Sequence, residues 1–460
     1  MNRAIWAARY GILPGLIFLG CSLLQAQNPV LQNYIREGLE SNQGLRQKQL
    51  NYAANLAALK EARGLFLPDV SLNARYTVAE GGRMIEFPVG DLLNPVYSTL
   101  NLLTGSTLFP QIENETFPFY RSREQETKVS LIQPIFHSDI IQNYRIKKEY
   151  TEIASIDLSR YRRELIKEIT KAYYGYQKAN GLAALADTAF SLVQENLRVS
   201  RRLFENDKVT RDAVFRSEAE LSKVEVQQAQ ARSMLEASRA YFNFLLNRAL
   251  DTSIQLFTEA PLPPLIPLDE ASQMALQNRD ELQQIKQYQQ LNRHVTSLHR
   301  GKNIPGLFGV VDYGVQGENY QISGEDDFIL ASLVLKWTLF QGTSNHQKVQ
   351  QSKIEGEKLE ELYSETQQQI RLEVIQHYYG LQAAYESVQS AGKQTQSAQH
   401  AYRMIDRKYA EGQSTLLELI DARTSLTSAA ANRIIAGSEY FSRLADFEYA
   451  IGSQSFEPYE

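Results

Sequence analysis

Glu418 and Asp421 are the residues whose types and spacing best suit chemistry. They stand three apart in a segment, 415–451, that reads as a helix, so both carboxylates share one face. Paired acids on one face attract cations. The plainer alternative is two exposed acids in a first helical turn, where the helix macrodipole favours negative charge. No reactive constellation accompanies them. The chain has no Gly-x4-Gly-Lys-Ser/Thr phosphate loop, no Gly-x-Gly-x-x-Gly, no Gly-x-Ser-x-Gly and no His-Glu-x-x-His. His294 and His299 are five apart, which places them on different helix faces, so they read as solvated helix histidines. The expectation is a protein without catalytic residues, metal or cofactor.

Long helices must position these acids. No proline occurs between Pro134 and Pro261 or between Pro305 and Pro458, and proline is what breaks helix interiors. Inside these windows apolar residues recur in alternating steps of three and four. One series is Ile169, Ala172, Tyr176, Ala179, Ala183, Ala186, Phe190, Val193 and Leu197. At an offset of 205 the matching positions run from Val374 through Leu381, Ala384 and Ala391 to Tyr402. Sustained spacing of this kind predicts coiled-coil packing. A helix over 139–205 would be on the order of 100 Å long. Each long helix ends at a polar turn before a second helix. In one turn Gly412 suits a C-cap and Ser414 or Thr415 an N-cap. In the other, Asp207 stands where Gly412 stands, and aspartate tolerates left-handed backbone better than most residues.

The chain is one unit written twice. Arg63-Gly64-x3-Pro68 recurs as Arg300-Gly301-x3-Pro305 at an offset of 237, with Leu39 on Leu276 and Tyr76 on Tyr313. After each proline comes an alternating stretch, and a second one follows. The expected organisation is a leader over 1–26, a first repeat over 27–266, a second over 267–453 and a tail over 454–460. The first repeat holds strands at 68–79 and 127–136 and long helices at 139–205 and 210–248. The second holds strands at 305–317 and 328–340 and long helices at 342–411 and 415–451. Each strand has one apolar and one polar face, as Val70, Leu72 and Tyr76 against Ser71, Asn73 and Arg75 show. Such strands suit a membrane barrel; the alternative is a set of edge strands over a helical core. Four strands cannot close a barrel, since membrane barrels begin at about eight, so a membrane-spanning chain must oligomerise. The link between the first two strands, 80–126, is too apolar for a plain linker and should form an ordered cap or partner surface.

The remaining signals concern destination. Arg3 and Arg9 precede an apolar run, Ile12 to Leu24, that ends at Gln25-Ala26-Gln27. This is the pattern of a secretory leader cut after Ala26, the alternative being a spanning anchor interrupted by Pro14, Gly15 and Gly20. The single cysteine, Cys21, lies inside this run. Phe18-Leu19-Gly20-Cys21 leaves lipidation at Cys21 as a second reading of the leader. A net charge of -5 gives no basic field for nucleic acid.

The duplicated Gly-x3-Pro motif, Leu131-Ile-Gln-Pro-Ile-Phe136, the pairs Tyr173-Tyr174 and Tyr378-Tyr379, and Tyr409-x2-Gly412-x5-Glu418-Leu419-x-Asp421-Ala422 resemble the TolC family of outer-membrane efflux proteins. The resemblance covers residues 28 to about 452. It implies a mainly α fold with a membrane β-barrel: a homotrimer whose twelve strands form one outer-membrane barrel, continuous with a periplasmic coiled-coil tunnel. It implies a passive exit duct of a tripartite efflux or type I secretion system, in outer-membrane lipid. The partners would be a periplasmic adaptor and an inner-membrane pump of RND or ABC type. Tyr409, Ser414, Glu418 and Asp421 would sit at the periplasmic gate, with six carboxylates in a ring whose crowding raises some pKa values. Family members often carry arginine near Ser414 to lock the gate. Here that cation is absent, so Asp212 or Tyr409 is expected to supply closing contacts. The rival reading is a periplasmic coiled-coil adaptor or scaffold without a pore.

Overall fold

Proline-free windows and strand alternation become helices and strands in the computed structural model, which describes residues 28–257, 265–319 and 326–453. The leader over 1–26, Cys21 and the tail lie outside these. The described elements run α1 (Pro29–Ser41), α2 (Gln43–Gly64), β1 (Asp69–Val78), β2 (Met84–Phe87), α3 (Val89–Thr104), β3 (Glu115–Pro118), β4 (Arg123–Phe136) and α4 (Ser138–Glu205). They continue α5 (Arg211–Leu245), α6 (Leu268–Asn278), α7 (Asp280–Gly301), β5 (Gly306–Gly317), β6 (Asp327–Lys336), α8 (Ser344–Ala410) and α9 (Leu416–Ala450). No described helix is long and apolar enough to cross a membrane.

The chain divides into two compact units that cut across the repeats. One comprises 1–46, 161–279 and 369–460, the other 47–160 and 280–368. The first is helical. Its seams bury the residues that the three-and-four spacing marks, among them Ile169, Tyr176, Ala179, Val193, Val374, Leu381 and Ala391. The alanines let backbones approach closely, and the larger residues fill the space between them. Tyr173 is fully buried among Tyr34, Tyr174 and Phe242.

The second unit holds the four-stranded antiparallel sheet, in the order β1-β4-β5-β6. Leu72, Val129, Tyr313 and Ile329 align across it through the register and are all exposed. The opposite face carries charge. Arg75 lies 2.9 Å from Glu126, and Lys128 reaches Glu126 at 3.2 Å and Asp312 at 3.1 Å, so one ion-pair ladder crosses three strands. An exposed apolar face backed by a polar one is the division a membrane barrel needs.

Two strand boundaries differ from expectation. β4 begins at Arg123, not 127, because both neighbours continue past Thr127: β5 pairs as far as Gln125, opposite Gly317, and β1 as far as Arg123, opposite Val78. β6 ends at Lys336, not 340. Its partner β5 starts at Gly306, opposite Lys336, and Pro305 before it has no N–H to extend the ladder. The Trp337 indole then turns to donate to the Asn303 carbonyl at 3.0 Å.

The 80–126 link is ordered. β2 pairs with β3, and α3 lies between them in sequence. Asn94 and Asn101 fasten α3 to the returning chain. Asn94 donates to the Ile112 carbonyl at 2.8 Å and accepts from the Ile112 N–H at 2.9 Å. Asn101 does the same for Phe109 at 2.7 and 3.1 Å.

Candidate gate at the helical hairpin turns

The two long hairpins turn by the same local device. In one, the Asp207 N–H donates to the Phe204 carbonyl and the Lys208 N–H to the Leu203 carbonyl, at 3.0 and 2.8 Å. In the other, Gly412 and Gln413 donate to Tyr409 and Lys408 at 2.9 and 2.8 Å. Both are Schellman closures, which require left-handed backbone at the first donor. Gly412 has φ of 72° and Asp207 φ of 55°. Aspartate therefore occupies a position where most side chains would be strained.

The restart of the helix differs between the hairpins. Thr415 caps α9 by accepting from the Glu418 N–H at 3.3 Å, and Glu418 accepts from the Thr415 N–H at 2.8 Å. This is a reciprocal capping box. The Ser414 hydroxyl also bonds the Glu418 carboxylate. Thr210, at the start of α5, makes no side-chain cap. Hydrogen bonds from the Ser414 hydroxyl and then the Thr415 backbone hold the Glu418 carboxyl below its ordinary 4.5. Within the chain this runs opposite to the upward shift expected of a crowded ring. A depressed folded pKa gives stability that is present above the unfolded value and lost as pH falls through the folded one. Acidification below the ordinary glutamate range is therefore expected to fray the start of α9. Carboxyl NMR titration should place Glu418 below its ordinary value, and Ser414→Ala should bring it up. An unchanged midpoint in that variant would rule out the hydroxyl as the cause.

The other predicted residues separate. Asp421 is exposed one turn further along α9. Asp212 pairs with Arg216 of its own helix at 3.0 Å, both exposed. Tyr409 is buried, with its hydroxyl 2.9 Å from Ser200 Oγ. Ser217 donates to the same Ser200 oxygen at 3.1 Å, so α8, α4 and α5 share one hydroxyl chain. Among the described residues no cluster of three or more histidine, cysteine or acidic side chains could hold a metal.

Residues 271–453 match the family described as outer membrane efflux protein. The chain is 21% identical over 460 residues to outer membrane protein TolC of Salmonella enteritidis, covering 96% of this chain and 85% of that protein. It resembles the TolC family over most of its length. Solved outer-membrane channels share the fold of this chain. The Campylobacter jejuni outer membrane channel CmeC superposes with a TM-score of 0.77 over 100% of this chain and 95% of its own, at 16% identity. The outer-membrane channel OprN does so with a TM-score of 0.75 over 92% and 90%, also at 16% identity. The likeness supports an outer-membrane location with an extension into the periplasm.

One pair in the chain has no signal in the sequence. The Arg423 guanidinium of α9 bonds Glu220 of α5, with side chains 5% and 16% exposed. The two residues are 203 positions apart. Lys223 stands 3.9 Å from the same carboxylate. Thus the second hairpin is tied to the first by a buried ion pair as well as by Tyr409.

Proposed function

We propose that three copies of this chain form an outer-membrane exit duct of a tripartite efflux or type I secretion system. Twelve strands would make one barrel, continuous with a periplasmic tunnel of coiled helices. The duct would be passive and opened by a periplasmic adaptor, with an inner-membrane pump of RND or ABC type supplying the work. The two structural repeats, 27–266 and 267–453, would then contribute equivalent sectors.

The observation that carries this reading is a vacancy in the repeat. At Gly301 an added Cβ would meet Ser138 Oγ at 2.0 Å; at its equivalent, Gly64, it would meet nothing within 4 Å. Inside the chain β5 of the second repeat pairs with β4 of the first, while β1 and β6 are the sheet edges. Applying the same pairing between copies joins β6 of one to β1 of the next and brings the chain that follows β6 to the open side of Gly64. The register follows. Leu131↔Val311 within the chain becomes Leu335 opposite Ala74 of the partner subunit. Oxidation of a single variant carrying Ala74→Cys and Leu335→Cys should give covalent oligomers in the outer-membrane fraction. A product confined to the monomer would count against the assembly.

Glu418 and Asp421 would ring the periplasmic opening, with Tyr409, Ser414 and Asp212 in the closing contacts. Neutralising the acids with Glu418→Gln and Asp421→Asn should lower cation preference in planar bilayers. Unchanged preference would reduce Glu418 to a helix cap and Asp421 to an exposed acid one turn beyond it.

A further inference from the structure

The cap between β1 and β4 contains a helix built inside out. α3 turns Asn94, Ser98 and Asn101 toward its own chain, where all three are hydrogen-bonded to the returning segment. At 100° per residue, Leu93, Val96, Leu100 and Leu103 lie on the opposite side. Their spacing of three, four and three is that of a coiled-coil seam. Val96 is 51% exposed and Leu103 76%. Leu93 and the neighbouring Leu92 are also exposed and Leu100 is half-buried, so the four form a contiguous apolar stripe of the kind that marks an interaction site.

Two observations choose the occupant. Helices that lie on a membrane carry lysine and arginine on their polar face. α3 has neither, its only charge is Asp91, and its polar face is already spent on the cap itself. The second observation is position. The cap leaves the sheet at its open β1 edge, where the Ala79 N–H donates to the Ser122 carbonyl at 3.0 Å. Under the register above, Gln125↔Gly317 becomes Ile329 of the partner subunit opposite Glu80, the first residue of the cap. A second copy is thus carried alongside the cap by the strand pairing alone.

We propose that the Leu93–Val96–Leu100–Leu103 stripe is a self-association surface that joins neighbouring copies of this chain through their caps. The proposal rests on the multi-copy reading and adds to it a contact outside the barrel strands. The full-length protein carrying Val96→p-benzoylphenylalanine is irradiated in outer membranes. The expected result is a covalent dimer whose cross-linked peptides both come from this chain. The same probe at Thr116, exposed on β3, should give none. Adducts of residue 96 with lipid or a foreign protein alone would overturn the proposal. So would no adduct at all in membranes where the Ala74→Cys, Leu335→Cys variant still cross-links. If that variant fails too, the assembly itself falls. Independently, Leu93→Ser with Leu103→Ser should lower the temperature at which the oligomer dissociates in detergent, and an unshifted temperature would also count against the stripe.

Discussion

Replacing Arg423 with alanine is expected to cost about 3–5 kcal/mol and to free the start of α9 from α5. The size follows from what stays behind. Glu220 is 16% exposed, and without Arg423 its charge would be left mostly out of water. Lys223, 3.9 Å away and itself exposed, can compensate only in part. Two further variants separate lost attraction from stranded charge. Glu220→Gln should cost less than Arg423→Ala, because a neutral amide can still accept a hydrogen bond. Arg423→Met with Glu220→Leu should recover most of the stability, since a buried ion pair replaced by apolar groups of similar volume is often neutral. Amide exchange in α5 and α9 gives the local readout. If the hairpin turns gate a pore as proposed, the alanine variant should open more often in bilayers than the parent. Exchange rates that match the parent in Arg423→Ala would show that the pair contributes nothing to holding the hairpins together.

Tyr173→Ala should destabilise the helical unit by a similar amount, about 3–5 kcal/mol, as truncation of a buried aromatic does. Its ring fills the space between Tyr34, Tyr174 and Phe242, at centroid distances of 6.2, 5.3 and 6.1 Å. Its hydroxyl accepts from the Phe257 N–H at 2.9 Å and from the Asn28 side chain at 3.3 Å. Asn28 in turn caps α1 through Val30 and Leu31. Truncation therefore opens a cavity, takes the acceptor from the Phe257 N–H and loosens a cap at once. Tyr173→Phe keeps the ring and should cost only about 1 kcal/mol. Thermal unfolding in detergent, followed by circular dichroism, distinguishes the two. Equal losses in both variants would mean that the hydroxyl, not the packing, dominates.

These two sites show where sequence reading reaches and where it stops. Tyr173 sits beside the three-and-four pattern of α4, so its burial follows from periodicity, and the pair Tyr173-Tyr174 is among the motifs that carry the family resemblance. Its hydrogen bonds to Asn28 and Phe257 could not be foreseen, because they join segments with no shared pattern. Arg423 and Glu220 lay fully outside reach. Each is one charge among many on a helix, and only the packing of α5 on α9 makes them a buried pair. Glu418 shows a different limit. Its spacing from Asp421 suggests a cation-attracting face, yet its spacing from Thr415 equally specifies a capping box, and within the chain the capping geometry is satisfied. The strands were legible where alternation is unbroken, as from Val70 to Val78. Arg123 to Glu126 read as loop because four polar residues carry no alternation; neighbouring strands that extend beside them draw them into the sheet. The cap was legible as ordered from its apolar content, but asparagines that imitate backbone pairing leave no periodic trace, so α3 was not.

The open edges of the sheet carry a consequence for how the protein is made. β1 and β6 each present a row of backbone donors and acceptors with no strand beside them in the chain. A single copy in transit would offer both rows, and an apolar sheet face, to anything it met. If other copies close these edges, as proposed, the folded population follows the square or cube of chain concentration, as mass action requires. The stability of such a protein belongs to a number of molecules per area of membrane, and falling synthesis would dissolve it where a mutation had not.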